Sequence, residues 1–238
     1  MGNLGLVVAL FDLDGTLCDA RHVAADLVIY QFKKPTRIPR VVIYLMIQTA
    51  RLLFYKAGLL AYARIARAGN RELARLLRGL SKSEASSLFY KAARTTVDTA
   101  REETLNLLRR HQEEGHTVIL VSGGFQPFLQ EVASLLGINY TVGTALEEVG
   151  DCYTGRLAGP VCQGDDRARL LGRFIKTSGL DMNLSSSYAY GDRVQDIPML
   201  EMVGYPVAVY PDKELLAYAN ERSWRVIGVS TGKPPKVS

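Results

Sequence analysis

The feature that most constrains this chain is the apolar run at residues 4–11, closed abruptly by Asp12-Leu13-Asp14-Gly15-Thr16. A strand with no polar alternation needs cover on both faces, which is the environment of a parallel sheet between helices. Two further runs, at 117–121 and 187–190, also end at small or acidic residues and lead into helix-like sequence, and a fourth strand is expected at 206–210. Helices are expected at 99–114 closing on Gly115, at 127–136 closing on Gly137, and at 165–177 closing before Gly179. The alternation specifies an α/β fold with an open parallel sheet, its chemistry at the carboxyl ends of the strands.

Between residues 19 and 98 the strand-like runs disappear, and Ala, Leu, Arg and Tyr take over, so a helical insertion is expected there. Ser81 and Glu84 form a capping box before a helix at 85–97, and Asn70 is positioned to cap a helix at 71–79. Residues 141–162, punctuated by four glycines, suit a β-hairpin flap, and the tail from 228 is expected to fray. The domain reading is therefore a core of 1–18 with 99–238 and an inserted domain of 19–98. A chain of 238 residues, 47% apolar, can bury such a core.

Charge divides along the same boundary. Residues 19–100 hold 15 Lys+Arg against 5 Asp+Glu, leaving 14 against 19 for the remainder. The basic part offers a surface for an anionic partner or a solvated helical face. Its tyrosines and arginines superficially suggest nucleic acid, but no nucleic-acid-binding fold accompanies them, and the reading is no nucleic-acid partner. Cys18, Cys152 and Cys162 provide no disulfide framework and fit a reducing compartment, with Cys152 and Cys162 read as partly buried thiols. The start lacks a basic region and a cleavage site, so a cytoplasmic location is expected.

Asp12 and Asp14 should leave the sheet together at the end of the first strand. Ionising both is costly unless a divalent cation compensates, an arrangement that separates a nucleophile from a proton donor. Two carboxylates that merely cap a helix or face water are the plainer account. Ser122-Gly123-Gly124, after the second strand, offers a hydroxyl and backbone N–H groups to phosphate oxygens. Gly191-Asp192, with Asp196 four residues on, adds two more carboxylates after the third. Asp196 also suits an N-cap for a helix starting at Ile197-Pro198. Only oxygen ligands are on offer, as Mg²⁺ prefers. His22 lies near the first loop, whereas His111 and His116 read as surface or helix-end residues and the three histidines as no metal cluster.

These motifs resemble the haloacid dehalogenase superfamily, in particular its phosphoserine-phosphatase-like branch. The resemblance rests on Asp12 to Leu17, on Val121-Ser122-Gly123-Gly124, on Gly191-Asp192 with Asp196, and on the segment from Val203 to Val209 with Pro211. It implies a Rossmann-like core with a helical, C1-type cap inserted after the first strand, and a Mg²⁺-dependent phosphomonoesterase. By similarity Asp12 attacks phosphorus, Asp14 protonates the leaving alcohol and then activates water, and Ser122 with Gly123 binds the phosphoryl group. Mg²⁺ is implied on the Asp12 carboxylate, the Asp14 carbonyl and Asp192, with Asp196 ordering its outer shell.

Two positions depart from that family. A lysine is expected where the chain reads Gly164-Asp165-Asp166-Arg167, and Arg167 keeps the charge with a larger, planar head. The glutamate that phosphoserine phosphatases carry nine residues after the nucleophile is Arg21, which with His22 is expected to set specificity. The implied substrate is a small phosphorylated metabolite or a lysophospholipid. A phosphotransferase, or a catalytically weak phosphate-binding protein, is the alternative, and dehalogenation is disfavoured because Asp14 supplies an acid that halide departure does not need. In the insertion Val41, Val42, Leu45, Met46, Leu52 and Leu53 form an apolar stripe bordered by Arg40, Arg51 and Lys56. The stripe is expected to pack inside the cap, with an acyl groove or peripheral membrane contact as the sharper alternative.

Overall fold

The computed structural model describes residues 5–18, 22–32, 35–57 and 62–228. Its chain order begins β1 (Val8–Phe11), α1 (His22–Phe32), α2 (Ile38–Lys56), α3 (Tyr62–Leu76), α4 (Lys82–Asp98) and α5 (Glu102–Glu113). It continues with β2 (Thr117–Phe125), α6 (Gln126–Leu136), β3 (Tyr140–Thr144), β4 (Leu146–Val149), β5 (Cys152–Leu157) and α7 (Asp165–Thr177). The last elements are β6 (Tyr188–Gly191), α8 (Ile197–Leu200), β7 (Tyr205–Val209), α9 (Lys213–Glu221) and β8 (Arg225–Ile227).

Six strands form one sheet in the order β3-β2-β1-β6-β7-β8, every neighbouring pair parallel. The chain leaves β1 toward β2 on one side and returns to β6 on the other, so the order reverses at β1 and opens a crevice above its carboxyl end. The period of two in a strand splits each apolar run between two cores. Ala9, Phe11, Val118 and Leu120 join the cluster on one face, and Val8, Leu10, Ile119 and Val121 join the other. All four residues of β1 are fully buried, and the larger side chains each contribute about 1.5–3 kcal/mol by leaving water.

Several expectations shift. Ser122-Gly123-Gly124 does not follow β2 but lies within it, as a register irregularity between Val121 and Phe125. Residues 141–162 divide: β3 joins the main sheet, and only β4 and β5 form the separate hairpin. The Ser81–Glu84 capping box is present at the start of α4, and α6 ends on Gly137 in the left-handed conformation (φ 67°). Asn70 caps nothing, because α3 starts at Tyr62 and carries Asn70 in its interior. The run before it is rich in Ala and Arg, whose helix propensity outweighs the stop that a single Asn supplies.

The stripe on α2 is corrected too. Val41 is buried, but Val42, Leu45, Met46, Leu52 and Leu53 are exposed, because the inward face carries Tyr44, Gln48 and Arg51, the last paired with Glu72 of α3. His111 is not a surface residue: it is buried, with Nε2 hydrogen-bonded to the Tyr190 hydroxyl at 2.7 Å and Nδ1 to Nδ1 of His116 at 2.8 Å. Burial, then the charge of His116, pulls its imidazole down to about 4. His111, Glu114 and His116 in fact converge at the end of α5, within ligand distance of one another. Trp224 is half-buried against the second core cluster and meets the Tyr218 ring edge-on. None of the three cysteines is in a disulfide; Cys18 and Cys162 are buried, and Cys152 is exposed. No described helix is long and apolar enough to cross a membrane.

Candidate active site

The loops after β1 and β6 and the irregular, looped end of β2 meet at one end of the sheet. Asp12 continues the ladder beyond β1, its N–H donating to the Tyr190 carbonyl at 3.0 Å, and is 2% exposed. Gly15 then turns at φ 94°, and a Cβ there would collide with the Asp192 carboxylate. Glycine is therefore required twice over, for the left-handed backbone and for the approach of Asp192. Asp14 meets the second loop, where the Ser122 hydroxyl donates to its Oδ2 at 3.4 Å and accepts the Gly124 N–H at 3.0 Å.

From the other side of β1 come Asp192 and Asp196, both buried. Asp196 Oδ2 accepts the N–H groups of Asp192 and Arg193, each at 3.0 Å, so its carboxylate turns back on its own loop. The expected N-cap role fails accordingly: no side-chain bond from Asp196 reaches α8. Gly191 permits this turn, since a Cβ would lie 2.7 Å from that of Asp196.

Arg167 enters from the first turn of α7 and is 5% exposed. Its Nη2 pairs with Asp12 Oδ1 at 2.9 Å, its Nη1 with Asp196 Oδ1, and its Nε donates to the Cys162 carbonyl at 3.4 Å. A planar fork fits this divergent set where a point ammonium would not. Burial opposes its charge, but Asp196 and then Asp12 outweigh that and raise its pKa above the ordinary value. Arg193 pairs with Asp192 at 3.3 Å.

Two further residues brace the loops and a third, Asn70, lies close to them; no motif marks any of the three. Arg101 donates from Nη1 to the Gly15 carbonyl at 2.5 Å and lies over the Tyr210 ring. Thr144, at the end of β3, donates to the Gly123 carbonyl at 2.7 Å and accepts the Cys162 N–H at 3.1 Å, tying the second loop to the approach to α7. Asn70 reaches down from α3, its Nδ2 4.0 Å from where a Cβ on Gly123 would sit. A residue at the end of a strand in the same sheet was a findable signal for Thr144; Arg101 and Asn70 had none. Arg21 and the side chain of His22 lie outside the described residues.

Asp12, Asp192 and Asp196 bring carboxylate oxygens within 4.8 Å of one another. With Asp14 the cluster has four carboxylates against the guanidiniums of Arg167 and Arg193, a formal deficit of two positive charges. Burial first, and then the neighbouring carboxylates, hold Asp12 well above the usual carboxylate range even against Arg167. The same two causes push Asp192 up to about 7. An all-oxygen, anion-rich, desolvated cluster is a fitting seat for a hard dication.

This predicts an unusual pH dependence. A carboxylate raised on folding retains a proton that the unfolded chain has released, so stability falls as pH rises between the two values. The metal-free protein is expected to lose melting temperature as pH rises from about 4 through about 7, a loss smaller in Asp192→Asn and reversed by added Mg²⁺. Melting curves in chelator that rise across this window in the parent, or fall equally in Asp192→Asn, would contradict it.

A family model described as haloacid dehalogenase-like hydrolase matches residues 9–201. The chain is 31% identical over 160 residues to a phosphoserine phosphatase of Mycobacterium tuberculosis, covering 67% of this chain and 51% of that one. It is 32% identical over 123 residues to a histidinol-phosphatase of Neisseria meningitidis, covering 51% and 55%. The chain thus spans about half the length of these curated relatives. A crystal structure of a protein with unknown function from Bordetella pertussis Tohama I shares the fold, with a TM-score of 0.75 at 24% identity over 95% of this chain and 100% of that one. On the breadth of the family match, which spans the loops that gather the carboxylates, this chain belongs to the haloacid dehalogenase-like hydrolase family.

Proposed function

We propose that the protein is a Mg²⁺-dependent phosphomonoesterase working through an aspartyl-phosphate, with the helical insertion at 19–98 as a cap over the core of 1–18 and 99–238. The observation that carries this reading is the juxtaposition of Asp12 with Asp14, Ser122, Asp192 and Arg167 at one sheet end. Asp12 Oδ attacks phosphorus and the ester P–O bond breaks. Asp14 delivers its proton to the departing alkoxide, then takes one from the water that cleaves the acyl phosphate. The Ser122 hydroxyl, the N–H groups of the Gly123 loop and Arg167 hold the transferring oxygens. Asp12, the Asp14 carbonyl and Asp192 would hold Mg²⁺, with Asp196 behind them, and the bound ion would supply positive charge against the phosphoryl oxygens. Three cysteines outside any disulfide fit the reducing cytoplasm.

Two of the relatives above are named a phosphoserine phosphatase and a histidinol-phosphatase. By the resemblance, Arg21 stands at the position where phosphoserine phosphatases carry a glutamate, and that argues for a different alcohol here, since two like charges about 4 Å apart repel by about 1–4 kcal/mol. A phosphate-ester screen tests both parts. Hydrolysis of p-nitrophenyl phosphate is expected with Mg²⁺ and not in chelator, and phosphoserine is expected to be at least about tenfold less efficient than esters without an ammonium. Undiminished turnover in chelator would refute the metal, and a preference for phosphoserine would refute the role of Arg21.

A further inference from the structure

Helix α2 is amphipathic in the inverted sense. Its half-buried face carries Tyr44, Gln48 and Arg51, with Arg51 turned in to Glu72 at 3.4 Å. Its outward face carries Ile38, Val42, Ile43, Leu45, Met46, Leu52, Leu53 and Phe54, each between 36 and 66% exposed. At 100° per residue Ile38, Val42, Leu45, Leu52 and Leu53 fall on one side of the helix, with Met46 beside them. Ile29 and Phe32, near the end of α1, are exposed as well. Apolar residues scattered singly over a surface need no explanation, but a contiguous helical face of them marks a contact.

The charge around this face says what kind of contact. Residues 27–71 contain nine Lys or Arg and no Asp or Glu. A second copy of the chain would set two such segments against each other, so self-association on this face is opposed by like charge. A protein partner requires hydrogen-bonding groups at the rim; between residues 38 and 54 the exposed polar side chains are Arg40 and Thr49 alone. Hydrocarbon requires none. An apolar face on a cationic, acid-free segment is the composition that settles in the headgroup region of an anionic bilayer, lying in the plane of the interface.

We propose that α2 is a peripheral docking surface for anionic membranes, its outward face inserted among the acyl chains and the net positive charge of the segment drawing it to the lipid headgroups. This surface is independent of the hydrolase reading and is tested without any turnover. Sedimentation with sucrose-loaded phosphatidylcholine vesicles, with and without phosphatidylglycerol, is the measurement. The parent protein is expected to pellet with the phosphatidylglycerol vesicles at low salt, at least tenfold less with phosphatidylcholine alone, and progressively less as salt is raised. Leu45→Glu with Met46→Glu should abolish pelleting while leaving the melting temperature unchanged, since both side chains already face water. Absence of pelleting at low salt, or equal pelleting of the double variant, would overturn the proposal. So would a salt-stable parent dimer that does not bind vesicles and that the double variant dissociates, which would assign the face to a second copy.

Discussion

Asp12→Asn is expected to lower turnover by about four to six orders of magnitude, the scale seen when a covalent nucleophile is removed from a site that otherwise stays intact. Asn keeps the shape and loses the attacking oxyanion. The effect on stability should run the other way. Asp12 is buried among Asp192, Asp196 and Asp14, and those neighbours together with burial make its ionisation costly. Replacing it with a neutral amide removes that repulsion, while Arg167 keeps Asp196 as a partner. The metal-free variant should therefore melt no lower than the parent, as expected where a site holds destabilising charge for its chemistry. A variant that is inactive and also unfolds early would leave the inactivity unexplained by nucleophile loss.

Arg167 carries the second large effect. Arg167→Ala would strand two buried carboxylates, and breaking a buried pair on one side costs about 3–5 kcal/mol. Most of the activity should go with it, because Arg167 lies against the nucleophile at 2.9 Å. Arg167→Lys keeps the charge but cannot reach Asp12, Asp196 and the Cys162 carbonyl at once, so it should retain part of both stability and turnover. Denaturant melts and steady-state kinetics on the two variants check this. Parent-like behaviour of Arg167→Ala would reduce the residue to a helix-end charge.

The sheet was legible where apolar runs end at chemistry-bearing loops. Strands β1, β2, β6 and β7, and the helices α6 and α7, fall where period and punctuation place them, because burial on both faces leaves little room for another pattern. The edge strands were harder. β3 contains a glycine and β8 is three residues long, so neither carries the apolar density of a central strand. The site carboxylates and Arg167 could be read from their distance after each strand, but their mutual pairing could not. The position of Asn70 over the Gly123 loop depends on how α3 packs, which a local stop signal does not encode. Tertiary packing likewise decided His111, whose ring sits beneath Tyr190 instead of in water. The α2 stripe was visible as amphipathic, yet the period alone did not say which face turns inward, where Arg51 meets Glu72.

The central claim is that phosphorus passes through Asp12. The direct measurement is an acid quench of the enzyme during turnover of a phosphate ester with Mg²⁺, followed by borohydride reduction and peptide mass spectrometry. An aspartyl-phosphate is reduced to homoserine, so the account predicts homoserine at position 12 in the parent, dependent on substrate and absent in Asp12→Asn. Turnover with an unmodified Asp12, or with the mark on another residue, would contradict it.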